Sequence, residues 1–185
     1  MTALSTIDEI KVYGNVTTAA GDPTLELLLN AASDMVEKYL GYNPLSSSYD
    51  TWVNGNGSYL MMLPNRPITA VSKVMVDNVS IPVSSGFPNN GYTFEATSVY
   101  LRGYTFSLGR RNVNIGYTAG YADVPSLPHG IRQAVNELVL TKYKSRDWLG
   151  HRSKSLAGET VSYDTAEMTK SVKGYLRDYV RVVPV

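Results

Sequence analysis

The chain has 185 residues, 43% of them hydrophobic, and a formal net charge of +1. That is enough apolar material for a folded core, and too little charge for whole-molecule attraction to nucleic acid or membrane. Cysteine is absent, which excludes disulfides, thiolate nucleophiles and cysteine-based metal sites.

The opening MTALSTIDEIK carries neither a basic n-region nor an apolar run, so no signal peptide is expected. No apolar run approaches the roughly 20 residues that span a bilayer. A soluble protein made in the cytoplasm is the expectation. Charge is unevenly spread, however. Residues 1–40 hold Asp8, Glu9, Asp22, Glu26, Asp34 and Glu37 against only Lys11 and Lys38. Residues 128–185 hold ten Lys or Arg against six Asp or Glu. Oppositely charged ends suit copies that pack side by side.

In chain order, Thr6-Ile7-Asp8-Glu9 fits a capping box and predicts a short helix over Ile7 to Tyr13. Asp22-Pro23 opens a second helix, with Asp22 as cap and Pro23 at the first position. Leu25, Leu28, Leu29, Ala32, Val36, Tyr39 and Leu40 fall on one side of it. Gly41 suits the C′ position and Pro44 blocks continuation.

From Tyr49 to Tyr117 the period becomes two. Thr51-Trp52-Val53 and Tyr59 to Leu63 flank Asn54-Gly55-Asn56-Gly57, a hairpin signal. Val71 to Val76 and Val79 to Val83 flank Asp77-Asn78, a second one. Pro82 places its strand at an edge. Ser84 to Asn90 reads as a loop. Tyr92 to Phe94, Val99 to Leu101 and Asn112 to Tyr117 complete the strands.

Gly120, Pro125 and Pro128 then punctuate the return to helix. Ile131, Ala134, Val135, Leu138 and Val139 form one apolar stripe, and the helix runs into Lys142, Lys144, Arg146, Asp147 and Trp148. Gly150 to Ser162 is polar and basic and reads as a mobile loop. Asp164 caps a last helix, with Glu167 three residues on and Met168, Val172, Leu176 and Tyr179 or Val180 as its stripe. The tail RVVPV reads as extended. The expected fold class is α+β: mainly a helical bundle of about four helices, with a small antiparallel β module inserted. A single domain over 1–185 is expected, with helices near 6–13, 23–40, 128–148 and 165–180 and the β insertion at about 49–117.

Catalytic patterns do not emerge. His129 and His151 are in no metal-ligand spacing. Asn54 to Gly57 is glycine-rich, but no Lys-Ser/Thr and no helix follow, so a hairpin tip is a better reading than a phosphate loop. Ser153 and Ser155 near His151 lack a nucleophile elbow. Asp8 and Glu9 suit the positive end of a helix dipole. No catalytic residue, metal or cofactor is expected, and the chain is not expected to be an enzyme.

Two features call for a partner. The first is the basic run Lys142, Lys144, Arg146, His151, Arg152 and Lys154. As a solvated helix end it needs no explanation; as a cluster it suits phosphate or an acidic protein. The second is Tyr175, Arg177, Tyr179 and Arg181 beside the apolar tail, residue types enriched at interface hot spots.

Four segments in order carry a resemblance. LELLLNAASDMVEKYLGYNP (25–44), LMMLPNRPITAVSKVMVD (60–77), VNIGYTAGYADVPSLPHGIRQAV (113–135) and YKSRDWLG (143–150) resemble the long helix, the Leu-Pro-x-x-Pro strand block, the Tyr-x-Ala-Gly-Tyr turn into helix, and the Tyr-x-x-Arg end of tailed-bacteriophage head–tail connector (adaptor, or head-completion) proteins. The long 78–111 segment departs from that pattern. The resemblance implies a structural virion protein at the head–tail interface. It implies identical copies in a ring of twelve beneath the portal protein. Such a ring extends the DNA channel and joins the head to a neck, stopper or tail protein, while genomic DNA passes without sequence readout. It assigns Tyr175, Arg177, Tyr179 and Arg181 to the portal contact. The basic residues Lys142, Lys144, Arg146, Arg152 and Lys154 then face the channel or a partner. A ring needs a heterologous interface, in which two different faces of one subunit meet. Two other readings stay open: another neck or tail ring protein, such as a stopper or tail terminator, and a small nucleic-acid-binding protein using the 142–154 run.

Overall fold

The computed structural model describes residues 3–146, 153–156, 159–162 and 168–181. The chain divides into two compact units, one from residues 1–41 and 124–180, the other from 42–123 and 181–185.

The first unit is helical. Helix α1 runs Ile7–Gly14, and Thr6 Oγ1 accepts from the Glu9 amide at 3.2 Å. The Glu9 carboxylate does not turn back on the cap. It holds Arg132 and accepts from the Ser5 hydroxyl. Helix α2 runs Asp22–Leu40 with Pro23 in its first turn, and Gly41 (φ 79°) ends it by donating to Glu37 O. Helix α3, His129–Ser145, packs against α1, α2 and α4, the last running Lys170–Leu176. Ile131, Ala134, Val135, Leu138 and Val139 of α3 are buried, as are Leu25, Leu29, Ala32 and Val36 of α2 and Val172 and Leu176 of α4, the two helices that pack on it most extensively. The last helix is capped by Thr169, whose hydroxyl accepts from the Val172 amide at 3.2 Å. The expected cap at Asp164 and Glu167, and Trp148, lie outside the described residues. Where a loop was expected, Ser153–Leu156 and Glu159–Ser162 pair as an antiparallel hairpin, β8 and β9.

The second unit is β. Its strands are β1 (Ser47–Gly55), β2 (Leu60–Met62), β3 (Ile68–Val76), β4 (Val79–Ser80), β5 (Gly91–Phe94), β6 (Ser98–Arg102) and β7 (Gly109–Ala119). They form two antiparallel sheets, β1-β7-β3-β4 and β2-β6-β5. This corrects the expected fold class. Among the described residues helix and strand are of comparable extent, so the β part is an equal partner with its own core, not a small module in a mainly helical bundle. The physical reason is that a β core is assembled from alternate residues of short, distant strands, which leave a weaker local pattern than a helical stripe. Met61, Val99, Leu101 and Tyr92 from one sheet and Val74, Val113, Ile115 and Tyr117 from the other belong to one buried cluster. Tyr117 stacks on Tyr49 at 5.3 Å and accepts from Asn65 Nδ2 at 2.9 Å, and burial pushes its hydroxyl pKa up.

Strand pairing also differs from the sequence reading. β1 pairs with β7 and β2 with β6, so Asn54–Gly57 is a corner between sheets and not a hairpin tip. The second turn is a hairpin as its sequence suggests. Asp77 (φ 50°) and Asn78 (φ 64°) both take the left-handed region that a two-residue turn demands, and Val76 faces Val79.

Across the outer face of the four-stranded sheet, Asp50, Gly116 and Lys73 share one row. Gly116 has no side chain to separate its neighbours, so Lys73 Nζ reaches Asp50 Oδ2 at 3.0 Å over the middle strand. Asn114 Nδ2 donates to Asp50 Oδ1 at 2.7 Å. The bond from Lys73, then that from Asn114, holds the Asp50 carboxyl below its ordinary value.

Candidate functional site

The predicted C-terminal set divides. Tyr175 is half-buried on α4 and its hydroxyl accepts from Gln133 Nε2 at 3.2 Å on α3. Tyr179, in the 3-10 turn Arg177–Tyr179, lies against Gly130, where an added Cβ would meet its ring at 3.3 Å. Glu137 on α3 accepts from the hydroxyls of Thr169 and Ser171, tying down the start of α4. The two tyrosines therefore help seat the last helix. Arg177 is exposed, and Arg181 is exposed but belongs to the β unit.

The basic run begins in the last turn of α3. Lys142 is half-buried, Lys144 and Arg146 are exposed, and the Arg146 guanidinium sits 4.2 Å over the Tyr143 ring. Cations here complement the negative end of the helix dipole. Lys154 is on β8 opposite Val161, while His151 and Arg152 lie outside the described residues.

His129 opens α3. Its Nδ1 is 2.8 Å from Arg132 Nη2, and Arg132 Nη1 is 2.6 Å from Glu9 Oε1. Ser5 donates to Asn136 Oδ1 at 2.5 Å. This network ties α1 to α3 beneath a groove of about 550 Å³ rimmed by exposed Val12 and Tyr13. A second depression, about 530 Å³, lies on the β2-β6-β5 sheet between Tyr59, Phe87, Phe94 and Tyr100. Arg102 caps the Phe87 ring at 4.7 Å there. Among the described residues no three His, Asp or Glu gather as a metal site.

Strands β1 and β7 fall out of step near one end. Val53 faces Val113 and Gly55 faces Gly109, so a single residue of β1, Asn54, spans three of β7: Arg110, Arg111 and Asn112. The surplus is thrown out as a bulge. Two asparagines pin it. Asn54 Oδ1 accepts from the Arg111 amide at 2.8 Å, and Asn112 Oδ1 accepts from the Gly55 amide at 2.9 Å. Asn112 Nδ2 donates to Ser107 O at 2.8 Å and to Asp77 Oδ1 at 3.0 Å. Arg111 is held at φ 49°, which costs a non-glycine residue about 1–2 kcal/mol. Bulges re-aim side chains at sheet ends. Here both arginines are exposed, next to Leu108 at 84% exposure. Neither arginine has an ion-pair partner among the described residues. The run Gly109-Arg110-Arg111-Asn112, a glycine and an asparagine bracketing two cations in an otherwise apolar strand, was the available signal.

Exposed apolar and cationic side chains on both units suit an assembly protein. Comparison with known proteins agrees. The structure resembles a chain in "Neck of empty GTA particle computed with C6 symmetry" (TM-score 0.59, 21% identity), covering 100% of this chain and 95% of that one. It also resembles a chain in "Neck of native GTA particle computed with C12 symmetry" (0.57, 19%, covering 97% and 90%). A third likeness is to "Virion of native gene transfer agent (GTA) particle" (0.56, 21%, 91% and 82%). No curated protein sequence matches. The family model "Head completion protein" matches residues 3–182, and the chain belongs to that family. Its role is that of a structural protein of the virion, at the head–tail connector.

Proposed function

We propose that copies of this chain close into a ring of twelve beneath the portal, extend the DNA channel and offer a platform to the next neck or tail protein. The family match across residues 3–182 carries this reading. Fold likeness to chains of particle necks treated with C6 and C12 symmetry supports the ring. In this role no bond is made or broken; both compact units act together as one adaptor subunit. Arg177 and Arg181, exposed, meet the portal, with Tyr175 and Tyr179 fixing the last helix behind them. Lys142, Lys144 and Arg146, with Arg152 and Lys154, face the channel or an acidic partner. Contact with passing DNA has to be weak and sequence-neutral, or the genome would stick on ejection.

Electron microscopy of the purified protein, alone and mixed with the portal of its particle, tests the reading. Closed annuli that seat on the portal are expected. A chain that stays solitary and indifferent to the portal refutes it. Charge reversal at Lys142, Lys144 and Arg146 tests the basic run: unchanged assembly together with unchanged DNA release would leave it without this task.

A further inference from the structure

The arginine bulge is built, not incidental. Two asparagine side chains and the close packing of Gly55 and Gly109 fix it, and it holds two cations without an ion-pair partner among the described residues, beside an exposed leucine. A surface of opposite character lies on α2. Glu26, Leu27, Asn30, Ala31 and Asp34 recur at spacings of three and four, so they share one face. The first four are exposed, and Leu27 is 70% exposed. Neither Glu26 nor Asp34 has a cation within ion-pair distance among the described residues. Negative charge is crowded on this helix, since Asp34 adds to burial in raising the Glu37 carboxyl.

We infer that the Arg110–Arg111 bulge with Leu108 docks on the Glu26/Leu27/Asp34 face of α2 in a second copy of this chain. The two surfaces differ, so the contact is heterologous and repeats head to tail, as a closed ring requires. Each offers an apolar anchor flanked by charge, and the charges are opposite. This inference rests on the ring reading above and names the joint between neighbours.

Charge exchange tests it. Arg110→Glu with Arg111→Glu, and separately Glu26→Arg with Asp34→Arg, each abolish closed oligomers at concentrations where the wild type assembles, by native mass spectrometry and electron microscopy. Mixing the two variants restores joints, because each carries one intact and one reversed surface in complementary sense. Arg111→Gly, which takes φ 49° freely, keeps the fold and weakens assembly, and raised salt weakens assembly of the wild type. All the altered side chains are solvent-facing or half-exposed, so circular dichroism and melting stay as in the wild type. Rings of wild type with undiminished rings of both reversal variants overturn this inference and leave the ring reading intact. Normal rings with reduced duplex DNA binding by the arginine variant also overturn it, in favour of a phosphate contact. A wild type that forms no annulus alone or on the portal overturns both readings.

Discussion

Replacing Gly55 by alanine puts a methyl group where the fold has no space for one. A Cβ at this position would stand 1.8 Å from the Ser107 carbonyl oxygen and 3.0 Å from Asn112 Oδ1. The obstacle is main chain, so no rotamer change clears it. The 104–108 segment has to retreat by about 1.5 Å to reach ordinary contact distance. Three hydrogen bonds lie in its path: Gly57 N to Phe106 O at 2.7 Å, Phe106 N to Ser58 O at 2.8 Å, and Asn112 Nδ2 to Ser107 O at 2.8 Å. Overpacking costs about 1–3 kcal/mol and each weakened bond about 1. A loss of about 3 kcal/mol is expected, a large share of the roughly 5–15 kcal/mol that holds a domain together. In urea, with a slope of about 2 kcal/mol per molar, the midpoint falls by about 1.5 M. Gly174→Ala is the control. Nothing lies within 4 Å of a Cβ there, and the residue is inside α4. That change gains up to about 1 kcal/mol of helix propensity. Equal midpoints for Gly55→Ala and the wild type would refute the packing argument at the bulge.

Three further outcomes follow from single residues. Thr51 Oγ1 is buried without a hydrogen-bond partner, so Thr51→Val raises stability by about 1 kcal/mol in equilibrium denaturation; a loss would show the hydroxyl is satisfied. The Asp50 carboxyl is held below its ordinary value by Lys73 and Asn114. Its contribution is therefore complete above the unfolded pKa and disappears as pH falls through the folded one. Asp50→Asn should differ from wild type at neutral pH, less so in high salt, and converge with it in acid; a gap that persists in acid contradicts this. Glu37 has the opposite sign. Burial first, then Asp34, raises its carboxyl, so the folded state loses stability as pH rises through the unfolded and then the folded pKa. Glu37→Gln melts higher than wild type at pH 7 and gains nothing at pH 3; a lower melting temperature at pH 7 counts against it.

The helix ends were legible because their chemistry is local. Pro23 and Gly41 each act within a turn of their own position, and so does Thr6; Asp22 is not the cap expected of it, because Gly21 holds that place and the Asp22 carboxylate takes Lys11 instead. Only half of the capping box forms, since Glu9 finds a stronger partner in Arg132, 123 residues away. The strand partners were not legible. Asn54-Gly55-Asn56-Gly57 turns the chain equally well into a hairpin or a corner, and the choice is made by Val113, Ile115 and Tyr117 arriving much later. The arginine bulge was hidden for the same reason. It arises from the mismatch of two distant strands, and only their register reveals it. Family likeness reached the function sooner than periodicity did, because an assembly surface needs no short motif of its own.

The bulk of the β unit, residues 42–123, is one unbroken stretch, and the helical unit is split across its two sides. Its two ends are buttoned to each other: Tyr121 N donates to Pro44 O at 2.9 Å, and Ser46 N to Tyr121 O at 2.8 Å. A polymer loop of roughly 80 residues costs about 4 kcal/mol to close. Once the strands have zipped, that cost has been met, and α2 and α3 find each other as though joined by a short linker.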